Sequence, residues 1–259
     1  MRSFGRPTIT IRVLLSLLSL VFCQVEATWA SNFSITPIEV FLSAKTPSVL
    51  LTLRNQDVEM LRFQLNGFAW DQSPQGEMLL GPTEDIVFFP VLLTVAPGEE
   101  RKIRIGRAVP IDSTEKTYRI FIEELPPLEK PQGSQGLTKV RVVTRVGIPI
   151  FIQPAKPVTE GRIQEMAIRG GLFSFQVKNT GNVHFVPGKL RVKGIGSEGE
   201  IILDQQTQGW YILAGGSRSY ELELRKEDCV KIKDLAIEVE TGETTLNEKF
   251  PITQSACGP

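Results

Sequence analysis

The chain has 259 residues, of which 41% are apolar and 22% charged, so it can bury one large core or two cores of ordinary size. Basic and acidic side chains balance at 29 each, which gives no support for nucleic acid or an anionic membrane as the main partner. A single histidine excludes copper or zinc sites built from several histidines.

Residues 1–30 are typical of a secretory signal peptide. Three arginines accompany the apolar run VLLSLLSLVF, which is too short to span a membrane. Small residues predict cleavage after Ala30, with Ala27 as a second candidate. The alternative is a lipoprotein acylated at Cys23. We expect an exported protein with no membrane insertion after the signal is removed.

From Ser31 onward, short apolar runs recur between clusters of Gly, Pro, Asn and Asp, without a convincing helical pattern. This predicts an all-β protein in which residues 31–154 form a first Ig-like sandwich. Seven strands are predicted before the last one of this domain: Ile35–Phe41, Val49–Asn55, Leu61–Trp70, Ile86–Phe89, Leu92–Val95, Glu100–Gly106 and Thr117–Glu123.

The last predicted strand of the first domain, Lys139–Gln153, reads KVRVVTRVGIPIFIQ. Its even positions from Val140 to Ile152 are apolar except Thr144, which predicts a strand with one apolar face. About fifteen residues at roughly 3.3 Å each give a strand near 50 Å, beyond the usual length. The preceding residues 126–138 are rich in Pro, Gly, Gln and Ser, so the arrangement favours a strand that pairs with a partner. The alternative is a central strand whose even face lies in its own core.

A second β domain, residues 155–259, is predicted beyond a connector that Pro154 and Pro157 stiffen. Its predicted strands are Arg162–Arg169, Leu172–Lys178, Lys189–Lys193, Glu200–Leu203, Ser219–Leu224, Ile232–Glu240 and Asn247–Pro251. An NTGN turn, residues 179–182, separates two of them.

Two cysteines, Cys229 and Cys257, remain after removal of the signal. In an oxidising compartment they favour one disulfide between the last strand region and the C-terminal tail. The alternative is a pair of free thiols.

The sequence lacks the residue patterns of common enzymes. His184 is the only possible histidine base, and its place after the NTGN turn is typical of a strand-edge histidine. No GxGxxG, P-loop or HExxH motif occurs. Adjacent acids such as Glu123 and Glu124 point to opposite faces of a strand. We predict a protein that is not an enzyme and holds no cofactor, nucleotide or metal.

Several runs of sequence resemble the PapD-like periplasmic chaperones that assemble pili or fimbriae in the chaperone–usher pathway. These runs are ITPIEVFL, VLLTLRNQ, FFPVLLTVAPGEERKIRIGR, YRIFIEELPP, GIPIFIQP and VKNTGNVH. They extend from the mature start into the second domain, and they are most similar to the alternative and archaic branches of the family.

The resemblance implies two Ig-like domains in a boomerang arrangement. It also implies donor-strand complementation, in which the chaperone lends a strand to a pilin or fimbrial subunit and delivers that subunit to an outer-membrane usher. The implied donor positions are Val140, Val142, Thr144, Val146 and Ile148. Thr144 is the least apolar of them and implies a shallower pilin pocket. When free, the protein has the option of self-association through the same strand.

Two basic residues of the family clamp the carboxylate at the pilin C-terminus, and they fall on Ile38 and Pro149 here. The anchor is therefore absent or supplied by another arginine, for which the candidates are Arg104, Arg119, Arg141 and Arg145. The family also has an interdomain ion-pair network. Its acidic members fall on Glu124 and Glu240, while its basic member falls on Gln153.

Two alternative functions stay open. One is an Ig-like structural or adhesive module of the cell envelope that captures no subunit. The other is a secreted hydrolase or carbohydrate-binding protein, which needs convergent carboxylates in a concave site.

Overall fold

The structure, a computed structural model, describes residues 31–127 and 142–257. Its regular elements there are almost all strands, which confirms the predicted all-β class with two β-sandwiches. The predicted signal peptide lies outside the described residues. Within the described ranges no helix has the length and apolar character needed to cross a membrane. The exact domain boundaries stay a prediction.

The first sandwich consists of ten strands in two sheets. In chain order they are β1 Phe33–Thr36, β2 Val40–Leu42, β3 Ser48–Asn55, β4 Leu61–Gln72, β5 Met78–Gly81, β6 Ile86–Phe89, β7 Leu92–Val95, β8 Glu100–Arg107, β9 Lys116–Leu125 and β10 Arg145–Ile152. One sheet has the order β1-β3-β8-β6, and the other has the order β2-β10-β9-β4-β5 with β7 paired to β4.

The second sandwich has the remaining strands. They are β11 Gly161–Arg169, β12 Leu172–Asn179, β13 Lys189–Gly196, β14 Ile201–Thr207, β15 Ser217–Glu223, β16 Ile232–Glu240 and β17 Thr245–Pro251. A sheet β11-β12-β15 faces a sheet β14-β13-β16-β17. A short helix, α1 Lys226–Cys229, and a 3-10 helix, Gln254–Cys257, were missed by the strand periodicity.

Each sandwich has its own apolar core, as alternating strands require. Ile103, Ile120 and Ile150 are fully buried in the first core, and Phe173 and Leu235 are fully buried in the second. Both inner faces of each pair of sheets contribute to the same cluster of side chains.

Cys229 and Cys257 form a disulfide, which confirms the predicted pairing. The bond joins α1 to the C-terminal 3-10 helix, and both cysteines are buried in the second core. The chain end is therefore tied to this sandwich covalently.

Two strand predictions were wrong in their bounds. The run Ile35–Phe41 is divided into β1 and β2, which belong to different sheets; Pro37 has no N–H to continue the first ladder. Strand β5 had no sequence signal because its Met-Leu-Leu-Gly run does not alternate in polarity. The predicted start of the first domain's last strand, Lys139, lies outside the described residues; within them β10 begins at Arg145.

Candidate functional site: an edge strand and the joint between the sandwiches

Strand β10 lies between β9 and β2 but is covered unequally by them. It pairs antiparallel with β9 along its whole length, from Arg145 opposite Glu123 to Ile152 opposite Lys116. Its pairing with β2 is parallel and includes only residues 150–152. Residues 145–149 therefore have a described neighbour on one side only.

The direction of the backbone groups follows from two hydrogen bonds. The Glu124 N–H donates to the Thr144 carbonyl at 2.9 Å, so the even residues of this segment face β9. The Gln153 N–H donates to the Leu42 carbonyl at 2.8 Å, so the odd residues face the side of β2. Because β2 ends its pairing at residue 150, the N–H and C=O groups of Arg145 and Gly147 point to an open edge. This edge can accept another strand.

The burial of the even-numbered side chains of β10 changes along the strand. Ile148 and Ile150 are buried in the first core, and Val146 packs against that core while half-buried. Thr144 is half-buried, and Val142, just before the strand, is 48% exposed. The apolar face thus extends beyond the core of its own sandwich.

The predicted donor positions differ in burial. Ile148 is only 1% exposed and packs in the core of the chain itself. Val142, Thr144 and Val146 lie at or beyond the border of that core. Val140 lies outside the described residues.

The odd face of β10 lies on the outer side of the sheet. A Cβ atom at Gly147 would come within 2.9 Å of the Phe121 ring, so the strand and this ring are in close contact. Arg145 stacks over the same ring at 4.0 Å and pairs with Glu123 at 2.6 Å. Farther along, Phe151 is fully buried where the two sandwiches meet.

A histidine from the second sandwich closes the joint over Phe151. The His184 ring stacks on Phe151 with 3.7 Å between ring centroids. Its Nδ1 lies 2.6 Å from Oε1 of Glu115, and its backbone N–H donates to the same oxygen at 2.9 Å. The Glu115 side chain is completely buried. These contacts fix the position of the second sandwich at the end of β9 and β10.

A second group of contacts joins the 211–213 loop to β4. The side-chain amide of Gln72 donates to the Tyr211 carbonyl at 2.9 Å and accepts from the Leu213 N–H at 3.2 Å. The Tyr211 hydroxyl donates to the Glu39 carboxylate, and its ring packs edge-on against Trp70 at 5.3 Å. Burial raises the pKa of Tyr211 far above its ordinary value, with the Glu39 bond as a second cause. The hydroxyl therefore stays a hydrogen-bond donor.

Arg119 lies at this joint and has no acidic partner among the described residues. It is 7% exposed, and its guanidinium stacks over Trp70 at 4.1 Å. Its Nε is enclosed and makes no hydrogen bond. Arg119 lies directly opposite Pro149, one of the two positions that the resemblance assigned to the basic clamp. Burial lowers the pKa of Arg119, although a guanidinium remains charged.

The other candidate anchors lie elsewhere. Arg104 is on β8 in the opposite sheet, exposed, and donates to Ser48 at 3.2 Å. Arg145 is already paired with Glu123. Arg141 lies outside the described residues. Of the three described arginines, only Arg119 combines burial with an unpaired donor at the joint.

The interdomain acid expected from the resemblance was wrongly located. Glu124 lies at the far end of β9 and accepts a hydrogen bond from Ser31 at 2.6 Å. Glu240 pairs within the second sandwich with Lys189, at 3.8 Å. At the joint, Glu115 meets His184, and Glu39 accepts from the Tyr211 hydroxyl.

Sequence reasoning also missed the roles of His184, Glu115 and Tyr211. His184 was interpreted as a strand-edge residue, but its ring is inserted between the sandwiches. One available signal was the sequence VHF, because a lone histidine between apolar residues is often enclosed. In the described part of the chain, no group of three or more His, Cys, Asp or Glu side chains is arranged to hold a metal ion.

The fold and this geometry define a class: a two-sandwich, Ig-like β protein that presents the open edge of one strand beside its interdomain joint. Residues 32–157 match the family model described as the N-terminal domain of PapD, a pili and flagellar-assembly chaperone. The first sandwich therefore matches this family of chaperone domains. The resemblance seen in the sequence is thereby confirmed.

Solved structures are similar to the chain over most of its length. The class 5 fimbriae chaperone CfaA has 15% identity and a TM-score of 0.57, covering 85% of this chain and all of its own. The CsuC–CsuE complex of archaic Csu pili from Acinetobacter baumannii has 18% identity and a TM-score of 0.56, covering 85% and 98%. The SafA–SafB complex of Salmonella enterica has 16% identity and a TM-score of 0.57, covering 86% and 99%. At these identities the similarity shows the fold. No curated protein sequence matches the chain.

Proposed function

We propose that this protein is a periplasmic chaperone that binds pilin or fimbrial subunits by donating the edge of β10, and then delivers them to an outer-membrane usher. The observation that carries the proposal is the open edge at residues 145–149 beside an apolar face that extends past its own core. The protein acts by binding and catalyses no reaction.

Strand addition at this edge satisfies the backbone of both partners. The outward N–H and C=O groups of Arg145 and Gly147 form a new ladder with a strand of the subunit. Pro149 has no N–H to give, so the ladder ends near the joint. Binding is reversible because only backbone bonds and a few apolar side chains are exchanged.

The even face supplies the side chains that the subunit lacks. Val142 and Val146 enter its groove, with Thr144 between them in a shallower pocket and Val140 continuing the same face. Complete burial of one such valine stabilises the complex by about 1.5–3 kcal/mol before ordering costs. Ile148 contributes indirectly, because it holds the strand in the first core.

Arg119 is the proposed anchor for a carboxylate of the subunit. Its guanidinium is fixed over Trp70 and has an enclosed donor without an acceptor. A carboxylate is a strong acceptor for a guanidinium in such surroundings. Arg119 is on β9, opposite Pro149, where the proposed ladder ends.

The first experiment compares Val142→Arg with Val143→Arg in a tagged full chain. These neighbours are 48% and 50% exposed but point to opposite faces. Proteins recovered from the periplasm of the native host are identified by mass spectrometry. We expect a small β-rich subunit with the wild type and Val143→Arg, and none with Val142→Arg. Equal recovery with both variants, or no subunit with any protein, contradicts the proposal and favours an envelope module without clients.

The second experiment tests the anchor in the same assay. Arg119→Met keeps an unbranched apolar stem and removes the charged guanidinium, and Arg104→Met is the control on the other sheet. We expect the subunit to bind at least about tenfold more weakly to Arg119→Met, as for loss of one charge-assisted hydrogen bond. An unchanged affinity excludes Arg119 as the anchor while leaving strand donation intact.

A further inference from the structure

The second sandwich has a cleft of about 550 Å³ between the edge strands of its two sheets. One wall is β15, and the other is formed by β13 and β14. Phe175, Leu190 and Val192, all nearly fully buried, form its apolar floor. Trp210, 48% exposed, lies at its rim.

Polar side chains occupy core-facing positions on one wall of this cleft. Tyr220 lies opposite Phe175 and Arg218 lies opposite Val177, and both partners point into the second core. Cross-strand partners share a face of the sheet, so Arg218 and Tyr220 point inward as well. A sandwich that needed only stability would have apolar residues here.

The opposite wall also has polar residues at inward-facing positions. Gln205 lies opposite Val192 and Thr207 lies opposite Leu190, so both share the inward face of the sheet. Both are nevertheless exposed, because β14 and β15 do not close over them. The cleft therefore combines an apolar floor with polar walls.

The two inward polar groups of β15 lack partners. Nη1 of Arg218 and the hydroxyl of Tyr220 are enclosed and make no hydrogen bond. Neither side chain has an ion pair with a described residue, and Glu221, which also lines the cleft, is exposed on the other face of β15. Burial raises the pKa of Tyr220 to about 12, so its hydroxyl remains protonated at neutral pH. Both side chains line the cleft, and these two donors have no acceptor among the described residues.

The first sandwich holds Arg218 in place. Gly76, in the turn between β4 and β5, has a positive φ of 83°, and a Cβ atom there would come within 2.5 Å of Nη1 of Arg218. The guanidinium is therefore packed against the backbone of this turn. Such contact limits the rotation of the guanidinium, while the Arg218 side chain lines the cleft.

We propose that this cleft is a binding site for a carboxylate on an apolar or aromatic body, separate from the β10 edge. The carboxylate accepts hydrogen bonds from Arg218 and Tyr220, and the body covers Trp210 and the apolar floor. Two sources share this chemistry: the free C-terminus of a protein chain and a small organic acid. The proposal does not depend on subunit binding at β10.

The test uses isotope-labelled full-length mature protein and follows the indole N–H resonance of Trp210. The probes are N-acetyl-Phe-Phe with a free carboxylate, the same peptide with a C-terminal amide, and 3-phenylpropionate. We expect the free acid to shift the Trp210 signal in a saturable way and the amide to bind at least about tenfold more weakly. Binding of the peptide alone indicates a chain terminus, and equal binding of 3-phenylpropionate indicates a small acid.

Variants distinguish specific binding in the cleft from nonspecific binding to an apolar surface. Arg218→Gln is expected to weaken the free acid about tenfold and Tyr220→Phe about threefold. Arg169→Gln, an exposed arginine on β11 of the same sheet, is the control and should change nothing. Equal affinity for acid and amide, an unaffected Arg218→Gln, or no shift with any probe overturns the proposal.

Discussion

The two halves of the β10 region have the same alternation of residues but opposite environments. From Ile148 to Ile152 every residue is buried; Ile148, Ile150 and Ile152 lie in the first core, and Phe151 lies at the joint. From Val142 to Val146 the same even face passes from exposed to half-buried, and the neighbouring edge is open. One half therefore holds the strand in the protein, and the other is available to a partner.

The difference shows that periodicity identifies a face without giving its depth. Both halves satisfy a period of two, so both predict an apolar surface. Depth depends on which side chains the facing sheet covers: Ile148, Ile150 and Ile152 lie in the first core, whereas Val142 is exposed. A similar contrast occurs in the second sandwich, where β15 has apolar residues at one end of its inner face and Arg218 at the other.

The largest expected effect compares Ile148→Ala with Val142→Ala. Ile148 leaves a cavity in the first core, so its variant should lose about 2–5 kcal/mol of unfolding free energy. Val142→Ala should change it by no more than about 0.5 kcal/mol, because the side chain is largely exposed. Denaturant unfolding of the mature protein measures both. Similar losses would mean that the two halves are equally part of the core.

The disulfide provides a control that lowers stability far from β10. Replacing Cys229 and Cys257 with Ser opens a loop with a sequence separation of 28 residues. Chain-entropy arguments give a loss of about 3–4 kcal/mol. In thermal unfolding the midpoint should fall, while subunit capture by the folded fraction persists. Loss of capture in step with stability would show that Val142→Arg acts by unfolding the protein.

A smaller effect is expected at the joint that anchors the buried half. Glu115→Ala removes the acceptor of two His184 donors and should cost about 1–3 kcal/mol. Glu115→Gln keeps an acceptor oxygen and should cost less. Denaturant unfolding gives the energies, and small-angle scattering reports any change in the arrangement of the two sandwiches. If the Ala and Gln variants behave alike, the hydrogen bonds at His184 do not fix the joint.

The last prediction requires no substitution and no change in stability. Hydrogen exchange in the free protein should be slow at the Val146 and Ile148 amides, which face β9, and fast at Arg145 and Gly147, which face the open edge. Adding the captured subunit should protect Arg145 and Gly147. Strong protection of these two amides in the free monomer would show that the edge is already covered.

Much of the architecture could be predicted from the sequence, because strands show a local alternation of apolar and polar residues. The β3, β4, β8 and β16 predictions nearly coincide with the observed strands. The division of Ile35–Phe41 could not be predicted from the sequence, because it depends on pairing between separate segments. Strand β1 pairs with β3 in one sheet, and β2 pairs with β10 in the other. The disulfide could be predicted because the third cysteine, Cys23, lies in the predicted signal peptide.

The candidate site was predicted only in part. The sequence indicated the β10 region and named Arg119 among four arginines, but it did not distinguish an exposed arginine from one enclosed by aromatic rings. Glu115 and His184 are 69 residues apart in sequence, so no local pattern joins them. Their contact exists because the connector between the sandwiches allows one loop to dock on the end of the other domain.

The sequence by itself determined the all-β class, most strand positions, the disulfide and the apolar face that precedes the joint, because each depends on neighbouring residues or on composition. Only the tertiary structure decided that Ile148 is core while Val142 is accessible, that Arg119 has a donor without a partner, and that Arg218 and Tyr220 face a common cleft. These properties depend on burial and on contacts between distant segments, which local periodicity does not encode.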